Sequence, residues 1–349
     1  MEIFWYSAVT LMLAVYVVLD GYDFGVGMVY PFVARTDEER RLTMAAIGPV
    51  WSGNEVWLIA AGAVLFLAFP KAYAAGFSGF YLALIIVLWL LMGRGLAIEL
   101  RAHLDHPLWR QFWDTVFAAA SALLAIVFGA ALGNLIRGVP LNAEGYFFVP
   151  LWTDLIPGPD PGILDWFTLL LALTSAVLIP MHGAGFLAMK TTGELQIRAR
   201  RLARLGAYAA VPLVAVVVLA LSMVQPSYRV NYDAHPIGYG FPLMGLASLV
   251  ALLVLRARDR DVAAFGASSL FLLGLLGGTA WGSYPNILIA TGDPAHSLTV
   301  TNASAGAYGL EAAWWWFTIG ITIVITYQVI INRLFWGPVK PGSGDSSAY

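Results

Sequence analysis

Seven stretches of this chain run for more than 20 residues without a single Asp, Glu, Lys or Arg: 72–93, 115–136, 166–189, 205–228, 234–255, 262–292 and 312–332. A bilayer core about 30 Å thick is crossed by roughly 20 apolar residues in helix, so each run predicts a transmembrane span. Two further spans are interrupted by polar residues. The first covers roughly 3–34 and contains Asp20 and Asp23; the second starts near Asn54 and runs to Pro70. The run at 262–292 is long enough to include part of a loop. The pattern predicts an all-α polytopic membrane protein with nine transmembrane helices.

Composition agrees. Only 11% of the 349 residues are charged, against roughly 25% in soluble domains. A net charge of −2 argues against a nucleic-acid partner. Cysteine is absent, which removes disulfides, thiolate metal sites and cysteine nucleophiles.

Lys and Arg set the expected orientation. With the N-terminus outside, the inside loops hold Arg35, Arg40, Arg41, Arg94, Arg101, Arg110, Lys190, Arg198, Arg200, Arg201, Arg204, Arg256, Arg258, Arg260, Arg333 and Lys340. Lys71, Arg137 and Arg229 alone fall outside. Sixteen against three predicts N-out/C-in and also checks the span count, because one missed helix would scramble the alternation. No cleavable signal peptide is expected, since the N-terminus lacks a basic region ahead of its apolar stretch. The outside loops at 137–162, 225–240 and 286–310 read as short packed caps. Residues 1–336 form one transmembrane domain, with four-helix units suggested at 1–136 and 163–285 and a ninth helix at 311–336. Gly133–Asn134 and Gly282 with Asn286 suggest matching turns at the ends of the fourth and eighth helices. The Gly/Ser-rich segment 337–349 reads as a disordered cytoplasmic tail.

Acids inside a span must face protein or water. Asp20 and Asp23, three residues apart, share a helix face, and Gly21 with Gly25 permits close helix contact beside them. Two carboxylates this close in low dielectric resist joint ionisation, so a shared proton or a cation is expected. They therefore read either as a proton relay or ion site, or as a pair satisfied by a helix terminus or an arginine. The segment GPVWSGNEVWL (48–58) adds Trp51, Trp57 and Glu55. Glu55 is a helix-start acid near the headgroups unless it lies deeper, where a relay role becomes credible. The segment RGLAIELRAHLDHPLWR (94–110) reads as an interfacial loop of solvated ion pairs, including Arg94, Glu99, Arg101, His103, Asp105 and His106. Of five histidines only His182 lies in a span, and a lone intramembrane histidine reads as a hydrogen-bonded core residue. No direct haem or metal ligand set is expected.

LDGYDFGVGM (19–28), GPVWSGNEVWL (48–58), FPKAYAAGFSGFYLAL (69–84), RGLAIELR (94–101), GNLIRGVPLN (133–142), MHGAGFLAMKTTGELQIRAR (181–200) and NASAGAYGL (302–310) together resemble subunit II of cytochrome bd quinol oxidase, from the first helix to the ninth. The resemblance implies two four-helix bundles plus one helix. It implies a bacterial inner-membrane respiratory complex that oxidises quinol and reduces dioxygen to water. In that family haems b and d and the quinol-oxidising loop belong to a partner, subunit I, and a small single-helix subunit commonly accompanies the pair. A bound quinone or lipid in this subunit has no residue signature. The family usually has Asp after the Trp in WDGNxVW, an acid associated with proton delivery; here that position is Ser52, which can relay a proton through water but cannot store one near neutral pH. Asp20, Asp23, Glu55 and Ser52 are thus the candidate proton-path or interface residues. The alternative reading from a different class is a standalone secondary transporter or ion channel using the same carboxylates.

Overall fold

Helix starts and stops follow local chemistry that the apolar runs alone do not reveal. The computed structural model describes residues 1–339, so most of the expected polar tail, and Lys340, lie outside the described residues. In chain order the helices are α1 (Glu2–Val33), α2 (Asp37–Ile47), α3 (Trp51–Ala68), α4 (Pro70–Gly79), α5 (Tyr81–Leu100), α6 (Pro107–Arg137), α7 (Trp166–Lys190), α8 (Gly193–Val224), α9 (Ser227–Ala234), α10 (Gly240–Ala257), α11 (Asp261–Ser283) and α12 (Ala307–Leu334). Nine of these described helices are long and apolar enough to cross a bilayer: all except α2, α4 and α9.

α2 begins with a capping box in which Thr36 and Glu39 satisfy each other's backbone donors, and α7 begins with the same device from Asp165 and Thr168. Pro70 and Pro107 occupy the first turns of α4 and α6, where a missing N–H costs nothing. α6 and α8 extend well beyond their uncharged runs, α8 by a full basic segment from Gly193. α6 runs unbroken through Gly133–Asn134 to Arg137, so the expected turn there is not formed. Asn134 is instead fully buried and donates to the Ala130 and Ile163 carbonyls.

α1, α3, α5 and α6 pack together, as do α7, α8, α10 and α11, while α12 rests on α3. α1 and α6 both pack on α7, joining the two groups. α1 crosses α7 with backbone against backbone: a Cβ added to Gly25 would overlap the Ile179 carbonyl and Gly183 Cα. Gly21 is less constrained, its added Cβ meeting only Ile179 Cδ1 at 3.3 Å. Ala97, Ala184, Ala188, Ala199, Ala203, Ala207 and Ala210 are all buried, the small-residue packing by which helices associate when lipid supplies no hydrophobic driving force. On the face that carries the α6–α7 connection, a short hairpin of β1 (Asn286–Leu288) and β2 (Leu298–Thr299) packs with Leu141, Phe147 and Val149. The hairpin and residues 139–149 form a packed cap, whereas residues 150–160 are almost all exposed.

Candidate functional site

The polar residues of α1 converge with two residues from α3, Asn54 and Glu55, and one each from α5 and α12. Asp20 is fully buried and faces Arg94 of α5, whose Nη1 and Nη2 donate to its two carboxylate oxygens at 2.6 and 3.1 Å. The same Nη2 donates to Glu55 Oε2 at 3.3 Å. The Arg94 guanidinium also lies 4.5 Å from the centre of the Phe24 ring, a cation–π contact one helical turn beyond Asp20. Asp23 has a different partner. Its Oδ2 accepts from Asn54 Nδ2 at 2.9 Å, the same amide donates to the Tyr22 hydroxyl at 2.7 Å, and Gln328 of α12 donates to Asn54 Oδ1 at 2.9 Å.

This geometry corrects the sequence reading of Arg94. It was expected among solvated loop residues, and its side chain is instead 0% exposed, inside α5. Six residues separate it from Leu100 at the helix end, about 9 Å at 1.5 Å per residue. A lone charge ends a span because of its cost in lipid, and pairing with Asp20 offsets that cost here. Two intramembrane acids with one nearby basic residue between apolar segments LLMG and GLAI were the signal that could have found it.

Asp20, Asp23 and Glu55 are therefore brought into one cluster, and Asn54, Arg94 and Gln328 are members that sequence reasoning did not single out. Ser52 is not bonded into the cluster. It is exposed in the first turn of α3, on the same face as half-buried Glu55 three residues on. From Ser52 through Glu55 to Arg94 and Asp20, exposure falls step by step to zero. Two carboxylates share the Arg94 guanidinium and a third, Asp23, is held nearby by Asn54; Asp23 Oδ1, Tyr16 Oη and Arg94 Nε are buried without a protein partner among the described residues.

The loop between α5 and α6 is more structured than expected. Glu99, His103, Asp105 and His106 are exposed, but Arg101 is buried. Its Nε donates to Asp114 at 2.5 Å and its Nη2 to Asp37 at 2.9 Å, while Arg40 and the Tyr30 hydroxyl also donate to Asp114. Burial pushes the Asp37 carboxyl up, but the Arg101 hydrogen bond and the charges of Arg101, Arg110 and Arg41 outweigh it and hold the acid below its ordinary value. Glu39 behaves similarly: burial raises it, and the backbone amides of Arg35 and Thr36 together with Arg198 bring it below.

His182 has both ring nitrogens engaged, Nδ1 with Ser268 Oγ at 2.8 Å and Nε2 with the Val18 carbonyl at 2.9 Å. His103, His106, His235 and His296 lie in loops or at their edges, so the histidines of this chain do not fit an axial ligand pair for haem. Among the described residues no group of three or more His, Cys, Asp or Glu is placed to hold a metal ion.

The fold and this cluster define a multi-pass membrane protein whose intramembrane acids are gathered around one buried cation. Residues 1–335 match the family model described as cytochrome bd terminal oxidase subunit II. Cytochrome bd-I ubiquinol oxidase subunit 2 of Escherichia coli (strain K12) is 32% identical over 355 residues, covering 93% of this chain and 91% of that protein. Cytochrome bd ubiquinol oxidase subunit 2 of Bacillus subtilis (strain 168) is 32% identical over 334 residues, covering 95% and 93%. A chain in the solved structure of bd oxidase from Geobacillus thermodenitrificans shares the fold, with a TM-score of 0.73 at 19% identity over 96% of this chain and 98% of that one. The chain belongs to the cytochrome bd terminal oxidase subunit II family. It is thus one subunit of a haem-containing oxidoreductase complex and has a subunit I as its partner.

Proposed function

We propose that this chain is the haem-free subunit II of a bacterial terminal oxidase that oxidises quinol and reduces dioxygen to water. Haems b and d and the quinol-oxidising loop reside in subunit I, and a small single-helix subunit completes the assembly. The complex sits in the cytoplasmic membrane, N-out/C-in for this chain, with four-helix units at 1–136 and 163–285 and a ninth helix at 311–336. Oxygen reduction takes up protons from the inside while quinol oxidation releases them outside, so a membrane potential develops without a separate pump.

Within this complex the chain supports subunit I and carries protons inward. Ser52 receives a proton at the surface through water, Glu55 passes it beneath that surface, and Asp20 and Asp23 hold it at the centre. Arg94 and Asn54 orient these acids. The observation that carries the reading is the graded exposure from Ser52 to Asp20, ending in two carboxylates that share one buried guanidinium, with Asp23 held beside them by Asn54. The unpartnered Asp23 Oδ1 and Tyr16 Oη support it, because buried polar atoms of this kind are where ordered water binds.

The test replaces Asp20, Asp23 and Glu55 singly with Asn, Asn and Gln in the assembled oxidase. Proton uptake during oxygen reduction is measured alongside haem content. A slowed uptake at normal haem content is expected for Asp23→Asn and Glu55→Gln. Unchanged uptake in both would remove the proton path, and a colourless homomeric preparation that moves an ion into liposomes would remove the oxidase reading itself.

A further inference from the structure

An apolar groove of about 390 Å³ opens between α1, α7 and α8, bordered by Met28, Phe32, Val177, Pro180, Leu205 and Ala209 among others. Its volume lies in the range of small-molecule sites, roughly 300–1,000 Å³. Every lining side chain is apolar, and the groove is open at its side. In lipid, apolar fit alone selects nothing, because surrounding acyl chains are as apolar as the groove. Selection requires a polar feature at one end.

That feature is present. On α8, Leu205 belongs to a stripe at helical spacing, Leu202, Leu205 and Ala209, whose next turn toward the helix start carries Arg198 and Arg201. On α1, the chain leaves the helix just after Phe32, and Arg35 follows three residues on. The two ends meet, since Arg198 Nε donates to the Val33 carbonyl at 2.8 Å. Arg198 is committed to Glu39. Arg35 and Arg201 are exposed, and among the described residues neither side chain forms an ion pair.

We infer that the α1/α7/α8 groove binds one anionic phospholipid, with an acyl chain along Phe32, Val177 and Leu205 and its phosphate between Arg35 and Arg201. The phosphate takes the place of the missing carboxylate partners and accepts from both guanidiniums. The inference is independent of the proton path.

The test uses the assembled oxidase, purified in detergent, stripped of lipid and then incubated with phosphatidylglycerol or phosphatidylcholine of the same chain length. Native mass spectrometry counts the lipids retained. The native complex is expected to hold one more phosphatidylglycerol than Ala209→Trp, which fills the groove from an exposed position. Arg35→Gln with Arg201→Gln should lower the preference for phosphatidylglycerol over phosphatidylcholine by about fivefold per arginine. These side chains carry no internal ion pair, so haem content should stay normal. Equal lipid counts in native and Ala209→Trp complexes, equal retention of the two lipids by the native complex, or a quinone retained in place of phospholipid would each overturn the inference.

Discussion

Replacing Arg94 with methionine removes the cation that Asp20 and Glu55 share while keeping an unbranched side chain of similar length. Asp20 is fully buried and loses both of its guanidinium hydrogen bonds. Removing one member of a buried pair costs about 3–5 kcal/mol, because the charge left behind has neither water nor partner. Glu55 loses less, since its side chain is 21% exposed and reaches solvent. Three kcal/mol is roughly a hundredfold in the folded fraction. Complexes of this size unfold irreversibly, so the quantity to measure is the half-life of intact, haem-loaded oxidase at a fixed elevated temperature. Arg94→Met should shorten it at least about tenfold. Adding Asp20→Asn removes the stranded charge as well, and the double variant should recover most of the loss, with a coupling of at least about 2 kcal/mol. A double variant no longer-lived than Arg94→Met alone would refute the view that these residues act as one neutralised unit.

Gly25→Ala and Gly183→Ala should each reduce the yield of assembled complex by about 1–3 kcal/mol of overpacking, measured as haem per unit of this chain, whereas Gly21→Ala should be tolerated. Gln328→Ala should lengthen no distance within the Arg94 pair but cost about 1 kcal/mol through its lost hydrogen bond to Asn54, read as a lower unfolding temperature. Asp37 is held below its ordinary value of about 3.9, so its ion pairs add stability above that pH and lose it as pH falls through the folded-state value. Asp37→Asn should therefore unfold at a lower temperature than the native protein near neutral pH, and the gap should narrow as pH falls below about 4.

The nine spans were legible because uncharged runs of this length have few other uses in a folded chain. The helix ends were not. The charge-free criterion stops at the first Arg, yet α8 continues through Arg198, Arg200, Arg201 and Arg204, whose long stems let charged heads reach the interface. α2 and α9 are short and only partly apolar, and no run marks them, while most of α4 lies inside the 72–93 run, which a charge count cannot divide between α4 and α5. In the candidate site, Asp20, Asp23 and Glu55 stood out because acids are costly in lipid. Arg94 escaped because the same cost made it look like a loop residue, and its compensation comes from a helix 74 residues away. Asn54 and Gln328 escaped because uncharged amides leave no trace in a charge count. Their role depends on α3 and α12 being side by side.

The 74-residue separation between Asp20 and Arg94 also sets an order of events during synthesis. The first helix reaches the membrane with two acids, each disfavoured by about 2.5–3.5 kcal/mol on insertion scales, and no arginine to meet them. At about 5–20 residues per second, Arg94 follows roughly 4 to 15 s later. Asn54 arrives sooner, and Gly183, the backbone contact that seats α1 against α7, later still. For that interval the first helix is an unfinished membrane segment. Until α5 has been made, the first helix carries a buried acid whose cation does not yet exist.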